Sequence, residues 1–257
     1  MAQVMHTIEG HVATLVLANE AKYNAMSLGM WQQLGELLDA LSHDDSVRVL
    51  ILRGQGEKAF VSGADISEFE QQRSNRDGVA TYDRAVDRVQ TALAHFPKPV
   101  VAAISGICFG GGLGMALSCD LRYCSAASRF RMPAARLGLG YAWRSMRSLV
   151  GALGPMNAAE AFYTAGIYNA EQALKLGIVQ SVHEDVFAHA TQTARLIAEN
   201  APLTIAAAKR AMVALRDPQP GDVAAVDAAV ARCFGSQDYI EGRRAFAEKR
   251  PPQFKGQ

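Results

Sequence analysis

Residues 100–120, VVAAISGICFGGGLGMALSCD, constrain the fold more than any other stretch of the chain. The run begins as an almost wholly apolar segment rich in β-branched residues, the pattern of a strand covered on both faces. Four of the next positions, Gly110, Gly111, Gly112 and Gly114, are glycines, and an apolar stretch of helical character follows. Such a junction lets backbone, not side chains, approach something closely. Close packing of a helix on a sheet is one reading. A dinucleotide loop is another, but the spacing is not G-x-G-x-x-G, and Asp120 opens the next strand where an acidic residue should close it. A phosphate-cradling loop lacks its Gly-Lys-Ser/Thr. The remaining reading is an oxyanion hole. A glycine at a helix N-terminus offers an unhindered N–H, aligned with the positive end of the helix dipole, to an oxygen gaining negative charge.

The surrounding sequence alternates strands and helices. HVATLVLAN, VRVLILRG and LRYCSA read as strands. Ser27 is placed to cap a helix whose apolar positions Met30, Trp31, Leu34, Leu37, Leu38 and Leu41 keep helical spacing. GVATYDRAVDRVQTALAHF reads as a second helix, ended by PKP. From about Arg144 the pattern turns mostly helical through GPMNAAEAFYTA, NAEQALKLG, VFAHATQTARLIAEN, PLTIAAAKRAMVALR and QDYIEGRRAFAEKR. The expected class is α/β, with an α/β first part and a helical second part.

Composition removes whole classes of function. Lys and Arg number 26 against 25 Asp and Glu, which gives no electrostatic case for nucleic acid or an anionic membrane. No apolar run reaches the roughly 20 residues of a membrane span, and the N-terminus lacks a signal-peptide pattern. Cys108, Cys119, Cys124 and Cys233 include no CxxC pair and read as reduced core thiols of a cytoplasmic protein, without disulfide or metal site.

A second glycine-bearing loop, KAFVSGADISEF (58–69), follows the strand VRVLILRG and opens a helical stretch at Asp65. With NAMS (24–27), KPVVAAISGICFGGGLGMALSCDLRYCSAASRF, NAEQALKLGIV, LTIAAAKRAM and EGRRAFAEKRPPQF in order along the chain, the sequence resembles the crotonase (enoyl-CoA hydratase/isomerase) superfamily. The resemblance implies a spiral of ββα units over residues 1–195 and a helical region over 196–257 that assembles a homotrimer, or a hexamer as a dimer of trimers. It implies an acyl-CoA substrate, coenzyme A being part of the thioester and no separate cofactor being needed. The thioester carbonyl would lie between the N–H groups of Ala64 and Gly111. The adenine would lie along Ala64, Asp65, Ile66 and Ser67, Lys22 would approach the CoA phosphates, and Phe246 and Lys249 of a neighbouring subunit would close over the nucleotide.

One departure from the family pattern matters most. Hydratase members carry glutamates at the positions of Gly114 and Ala134, where this chain has no carboxylate. Hydration needs a base for the water and an acid for the α-carbon, and neither glycine nor alanine is either. The segment LGLGYAWRSMR that follows brings Tyr141, Arg144 and Arg147. Its LG-x-x-Y pattern is similar to methylmalonyl-CoA decarboxylases, in which a tyrosine stands beside the substrate carboxylate. Tyr141 is equally read as an aromatic packing under the acyl group, and Arg144 and Arg147 as an exposed helical face. His95 reads as a helix cap, Asp65 as a cap or binding residue, Glu68 as a residue of the pocket mouth, and Asp120 as structural. Three function classes stand: an acyl-CoA enzyme that stabilises a thioester enolate without the glutamate pair, a decarboxylase or thioesterase of a branched or dicarboxylic acyl-CoA, and a non-catalytic acyl-CoA-binding protein.

Overall fold

Two sheets are threaded by alternate strands of the chain. The computed structural model describes residues 2–65 and 76–257. In the larger sheet, β1 (Gln3–Glu9) and β2 (Val12–Ala18) form an antiparallel hairpin. Parallel strands β3 (Val49–Gly54), β5 (Val100–Ile104), β7 (Leu121–Ser125) and β10 (Ser181–His183) then continue it in the order β1-β2-β3-β5-β7-β10. The smaller sheet runs β4 (Ala59–Val61), β6 (Ile107–Phe109), β8 (Arg129–Arg131), β9 (Ile167–Asn169), of which β9 is antiparallel. Thus β3 and β4, β5 and β6, β7 and β8 each give one strand to either sheet. The helices α2 (Arg76–Ala94), α3 (Gly111–Leu117) and α4 (Trp143–Thr164) lie downstream of the three pairs in turn. This is the expected ββα spiral.

Period-two alternation explains the apolar strands. Leu50, Leu52, Val100, Ala102 and Ile104 face a core shared with the second sheet and with Trp31, Leu34 and Leu38 of α1 (Leu28–Ser42). Val49, Ile51, Val101 and Ala103 face the other way, onto Val186, Ala190, Ala194 and Ala198 of α6 (Val186–Ala198). The all-apolar β5 is therefore covered on both faces. Ser27 caps α1 as expected, its Oγ accepting from Met30 N at 3.1 Å.

The second part of the chain departs from the helical expectation at two points. Beyond α4, whose course breaks at Gly154 (φ 74°) before Pro155, β9 and β10 return to the two sheets. Between them lies α5 (Ala170–Lys175), held by an Asn169–Gln172 capping box. The C-terminal part comprises α7 (Pro202–Arg216), α8 (Asp222–Phe234) and α9 (Gln237–Glu248). Strand β1 and helix α8 lay outside the sequence reading. Cys108, Cys119 and Cys124 are buried core thiols, and burial raises Cys119 to about 12 and Cys124 to about 11. Cys233 is only half-buried. Among the described residues no helix is long and apolar enough to cross a membrane.

Candidate active site

The glycine run becomes the turn between β6 and α3. Gly110 has φ 52° and ψ −116°, a backbone region open to glycine, and its N–H donates to Arg131 O at 2.9 Å. A Cβ added at Gly112 would lie 2.6 Å from both Cβ and O of Val61, so α3 rests directly on the end of β4. The chain leaving β4 reaches Ala64, which forms a parallel bridge with Met26. Met26 N donates to Gly63 O at 2.9 Å and Asp65 N donates to Met26 O at 3.0 Å. Among the described residues the N–H groups of Ala64 and Gly111 have no hydrogen-bond acceptor.

One aromatic path ties the two loops. The Trp31 ring stands 3.2 Å from where a Gly111 Cβ would be. Its Nε1–H donates to Tyr82 Oη at 2.9 Å, and that hydroxyl donates to Met26 O at 3.2 Å. Asn24, buried and left-handed at φ 54°, braces the same region. Its Nδ2 donates to Gln55 O at 3.0 Å and to Ala59 O at 2.7 Å.

On the other side of α3 the wall is made of side chains. A Cβ at Gly114 would meet Gln90 Nε2 at 2.4 Å, so the space a side chain at Gly114 would enter is taken by the Gln90 amide from α2. Gln90 is buried, and Ser145 Oγ donates to its Oε1 at 3.1 Å. Ala134 is buried too, its carbonyl accepting from Leu137 N and Leu139 N. Tyr141 packs on the core edge-on to Phe162, the ring centroids 5.3 Å apart, and burial pushes its phenol well above the ordinary value. Among the described residues the Tyr141 hydroxyl has no hydrogen-bond partner. At neutral pH it is a donor and not a base.

The two arginines part company. Arg144 is exposed, whereas Arg147 is half-buried and bonds both the Asp217 carboxylate and Arg216 O. The reading of Arg147 as an exposed face is therefore corrected, because Asp217 at the end of α7 reaches it. His95 caps α2, with Nδ1 3.0 Å from Thr91 O and Nε2 3.3 Å from Asp217. Burial works against the Asp217 carboxylate, but the Arg147 guanidinium and then His95 outweigh it and hold its pKa below the usual carboxylate range.

Lys22 Nζ sits on the buried Asp65 carboxylate at 2.8 and 3.0 Å. Asp120 is structural, accepting from Val100 N at 2.8 Å and from the buried Lys209 Nζ at 2.6 Å. Phe246 is 88% exposed, and Lys249 ends α9 in the left-handed region at φ 55°. Ile66, Ser67 and Glu68 lie outside the described residues. Sequence reasoning missed Gln90 and Lys209. Tyr82, Val86, Val89 and Leu93 set the inward face of α2 at helical spacing, and Gln90 falls on that face. A polar residue on an apolar stripe was the available signal.

The same architecture is found in known proteins. The sequence signature of the enoyl-CoA hydratase/isomerase family matches residues 7–257. The chain is 30% identical to the short-chain-enoyl-CoA hydratase of Clostridium acetobutylicum, over 94% of this chain and 93% of that protein. It is 32% identical to the carnitinyl-CoA dehydratase of Proteus mirabilis over the whole of both. The crystal structure of an enoyl-CoA hydratase/carnithine racemase from Magnetospirillum magneticum superposes with a TM-score of 0.94 at 35% identity, covering 100% of this chain and 97% of that one. The chain belongs to the enoyl-CoA hydratase/isomerase family and is an acyl-CoA enzyme of that family.

Proposed function

We propose that the protein holds an acyl-CoA thioester with its carbonyl oxygen between the N–H groups of Ala64 and Gly111, and stabilises the thioester enolate there without the usual pair of carboxylates. The observation that carries this reading is the pair of N–H groups left without acceptors on loops tied together through Trp31, Tyr82 and Met26. A donor aimed at a developing oxyanion is worth about 2.7–4 kcal/mol of transition-state stabilisation. Gly114 and Ala134 supply no proton-transfer group, and Gln90 is neutral at any working pH. Lys22, Asp65, Ile66 and Ser67, with Phe246 and Lys249 of a neighbouring copy, complete the CoA site in this reading. Assembly through residues 196–257 as a trimer or hexamer is supported by an apolar groove of about 650 Å³ lined by Leu203, Ala207, Phe234, Tyr239, Phe246 and Phe254.

Calorimetric titration with acetyl-CoA and octanoyl-CoA tests the reading. Saturable binding is expected, lost in Gly111→Pro but kept in Gly111→Ala. Proline is tolerated at the first helical position, where it removes the N–H and adds a Cβ against Trp31, whereas alanine adds the same Cβ and keeps the N–H. Absence of binding by any acyl-CoA, or equal loss in both variants, overturns it.

A second reading has Tyr141 in its favour. Loss of CO₂ from a carboxylated acyl-CoA forms the enolate without a base, and a partly buried, protonated phenol can then deliver a proton to the α-carbon. CO₂ release from methylmalonyl-, ethylmalonyl- and malonyl-CoA should fall in Tyr141→Phe more in kcat than in KM. No release from any of them by the unaltered protein removes this reading.

A further inference from the structure

One face of α2 looks onto α3 at two places. Tyr82 and Gln90 are both buried on that face. Tyr82 is bonded to Trp31, whose ring stands against Gly111, and Gln90 stands against Gly114. The two glycines are one turn apart, about 4.5 Å along the axis of α3, and residues at that spacing share a helix face. The Gln90 amide therefore lies one turn beyond the Gly111 N–H. It stands over the position from which a hydratase carboxylate would act on the carbons of the acyl chain.

How that amide is committed decides what it can do. Ser145 Oγ donates to Oε1 at 3.1 Å, and with the oxygen so engaged Nε2 is turned to Gly114, 2.4 Å from where a Cβ would be. Gly114 has no side chain to accept from it, and among the described residues Nε2 donates to nothing. Gln90 is only 9% exposed, and a buried N–H left unpaired costs the desolvation of the group. Val86, Val89 and Leu93 of the same helix pack on the core, so burial alone would be served as well by one more apolar side chain.

We propose that Gln90 Nε2 is a third substrate-binding donor that receives a carbonyl oxygen on C3 of the acyl chain, so that the preferred ligand is a 3-oxoacyl-CoA. The proposal rests on the acyl-CoA reading above. An amide nitrogen only donates and a ketone oxygen only accepts, so the two match. The thioester oxygen lies on the backbone pair and the C3 oxygen on Gln90, and each oxygen of the ligand meets a donor already in place. Gly114 belongs to the same arrangement, because any side chain there would stand between Nε2 and the ligand. An acyl chain bare at C3 would leave Nε2 buried and unpaired, so the site discriminates by penalty as well as by attraction.

Matched chain lengths separate this from general acyl-CoA binding. Acetoacetyl-CoA and butyryl-CoA carry four-carbon acyl groups that differ only at C3. Calorimetry should give acetoacetyl-CoA about tenfold tighter binding, the scale of one buried hydrogen bond. Gln90→Met keeps the length of the side chain without the amide, and Gln90→Glu keeps an oxygen for Ser145 without the N–H. Each should bring the ratio of the two affinities towards one, with saturable butyryl-CoA binding showing that the variant is folded. Equal affinities in the unaltered protein, or an acetoacetyl preference that survives both substitutions, overturns the role of Gln90 and leaves the acyl-CoA reading standing. A loss that falls equally on the two ligands makes Gln90 a packing residue and overturns its role as well. Absence of binding by acetoacetyl-CoA and butyryl-CoA alike in the unaltered protein overturns both readings.

Discussion

Helix α3 meets the rest of the protein on two sides that are built differently. Towards β4 the contact is backbone on backbone: Gly112 lies so close to Val61 that a Cβ would sit 2.6 Å from a carbonyl oxygen. Towards α2, two residues further on, a Cβ at Gly114 would meet only the end of the Gln90 side chain. The first wall cannot change without moving a strand. The second can be rewritten by exchanging side chains, which is how one scaffold hosts different chemistries. In the proposed reading the oxyanion donors belong to the fixed wall and the reagents to the variable one.

The most drastic way to test this division is to rebuild the variable wall. A general acid or base typically contributes about 10²–10⁴-fold, so the unaltered protein should hydrate crotonyl-CoA barely or not at all. Gly114→Glu with Ala134→Glu should raise the rate by at least about 10²-fold, but only with Gln90→Ala, because Gln90 fills the space the Gly114 side chain needs. Brisk hydration by the unaltered protein would show that other residues carry the protons.

Stability offers a smaller contrast. Gly112→Ala should cost about 1–3 kcal/mol through overpacking, measured by urea denaturation. Gly114→Ala should stay near neutral, since a helix-interior alanine recovers up to about 1 kcal/mol against the displacement of Gln90. Equal losses at both positions would erase the distinction.

Smaller again is Trp31→Phe, which deletes the indole N–H that tethers Tyr82 between the loops. It should cost about 1 kcal/mol of stability, and acyl-CoA affinity should weaken with it. Unaltered affinity would mean that the aromatic path does not set the spacing of the loops.

The slightest effect expected is on pH. The Asp217 carboxyl is held below its ordinary value, so its contact with Arg147 contributes stability that is complete above about pH 4 and lost as pH falls through the lower folded-state pKa. Between pH 7 and 5 this group should contribute no change. An NMR titration of Asp217 with its midpoint above the usual carboxylate range would contradict that sign.

What could be read in the sequence was whatever local pattern alone determines. The apolar β5, the Ser27 cap and the periodic face of α1 each report their own structure. The order of the two glycine loops sufficed to suggest an oxyanion site. What escaped reading depends on partners distant in sequence. Gln90 acquires its meaning only opposite Gly114, Arg147 only from Asp217, and Lys209 only from Asp120. Strand β1 escaped because six of its seven residues are exposed, so no apolar alternation marks it. Helix α8 also lay outside the reading, and none of its residues is buried.

The alternation of strands between sheets has a kinetic corollary. Leu50 pairs with Val100, Val101 with Leu121, and Tyr123 with Ser181, and each of these three pairings waits for an intervening excursion to the other sheet and its helices. Each pairing carries a loop-closure entropy before it returns any burial, which places the fold among slow, non-local folders. The Gly63–Asp65 loop follows β4 and the Gly110–Gly112 turn follows β6, so they belong to successive turns of one screw. The two idle N–H groups are therefore brought side by side only when both turns of the screw are in place.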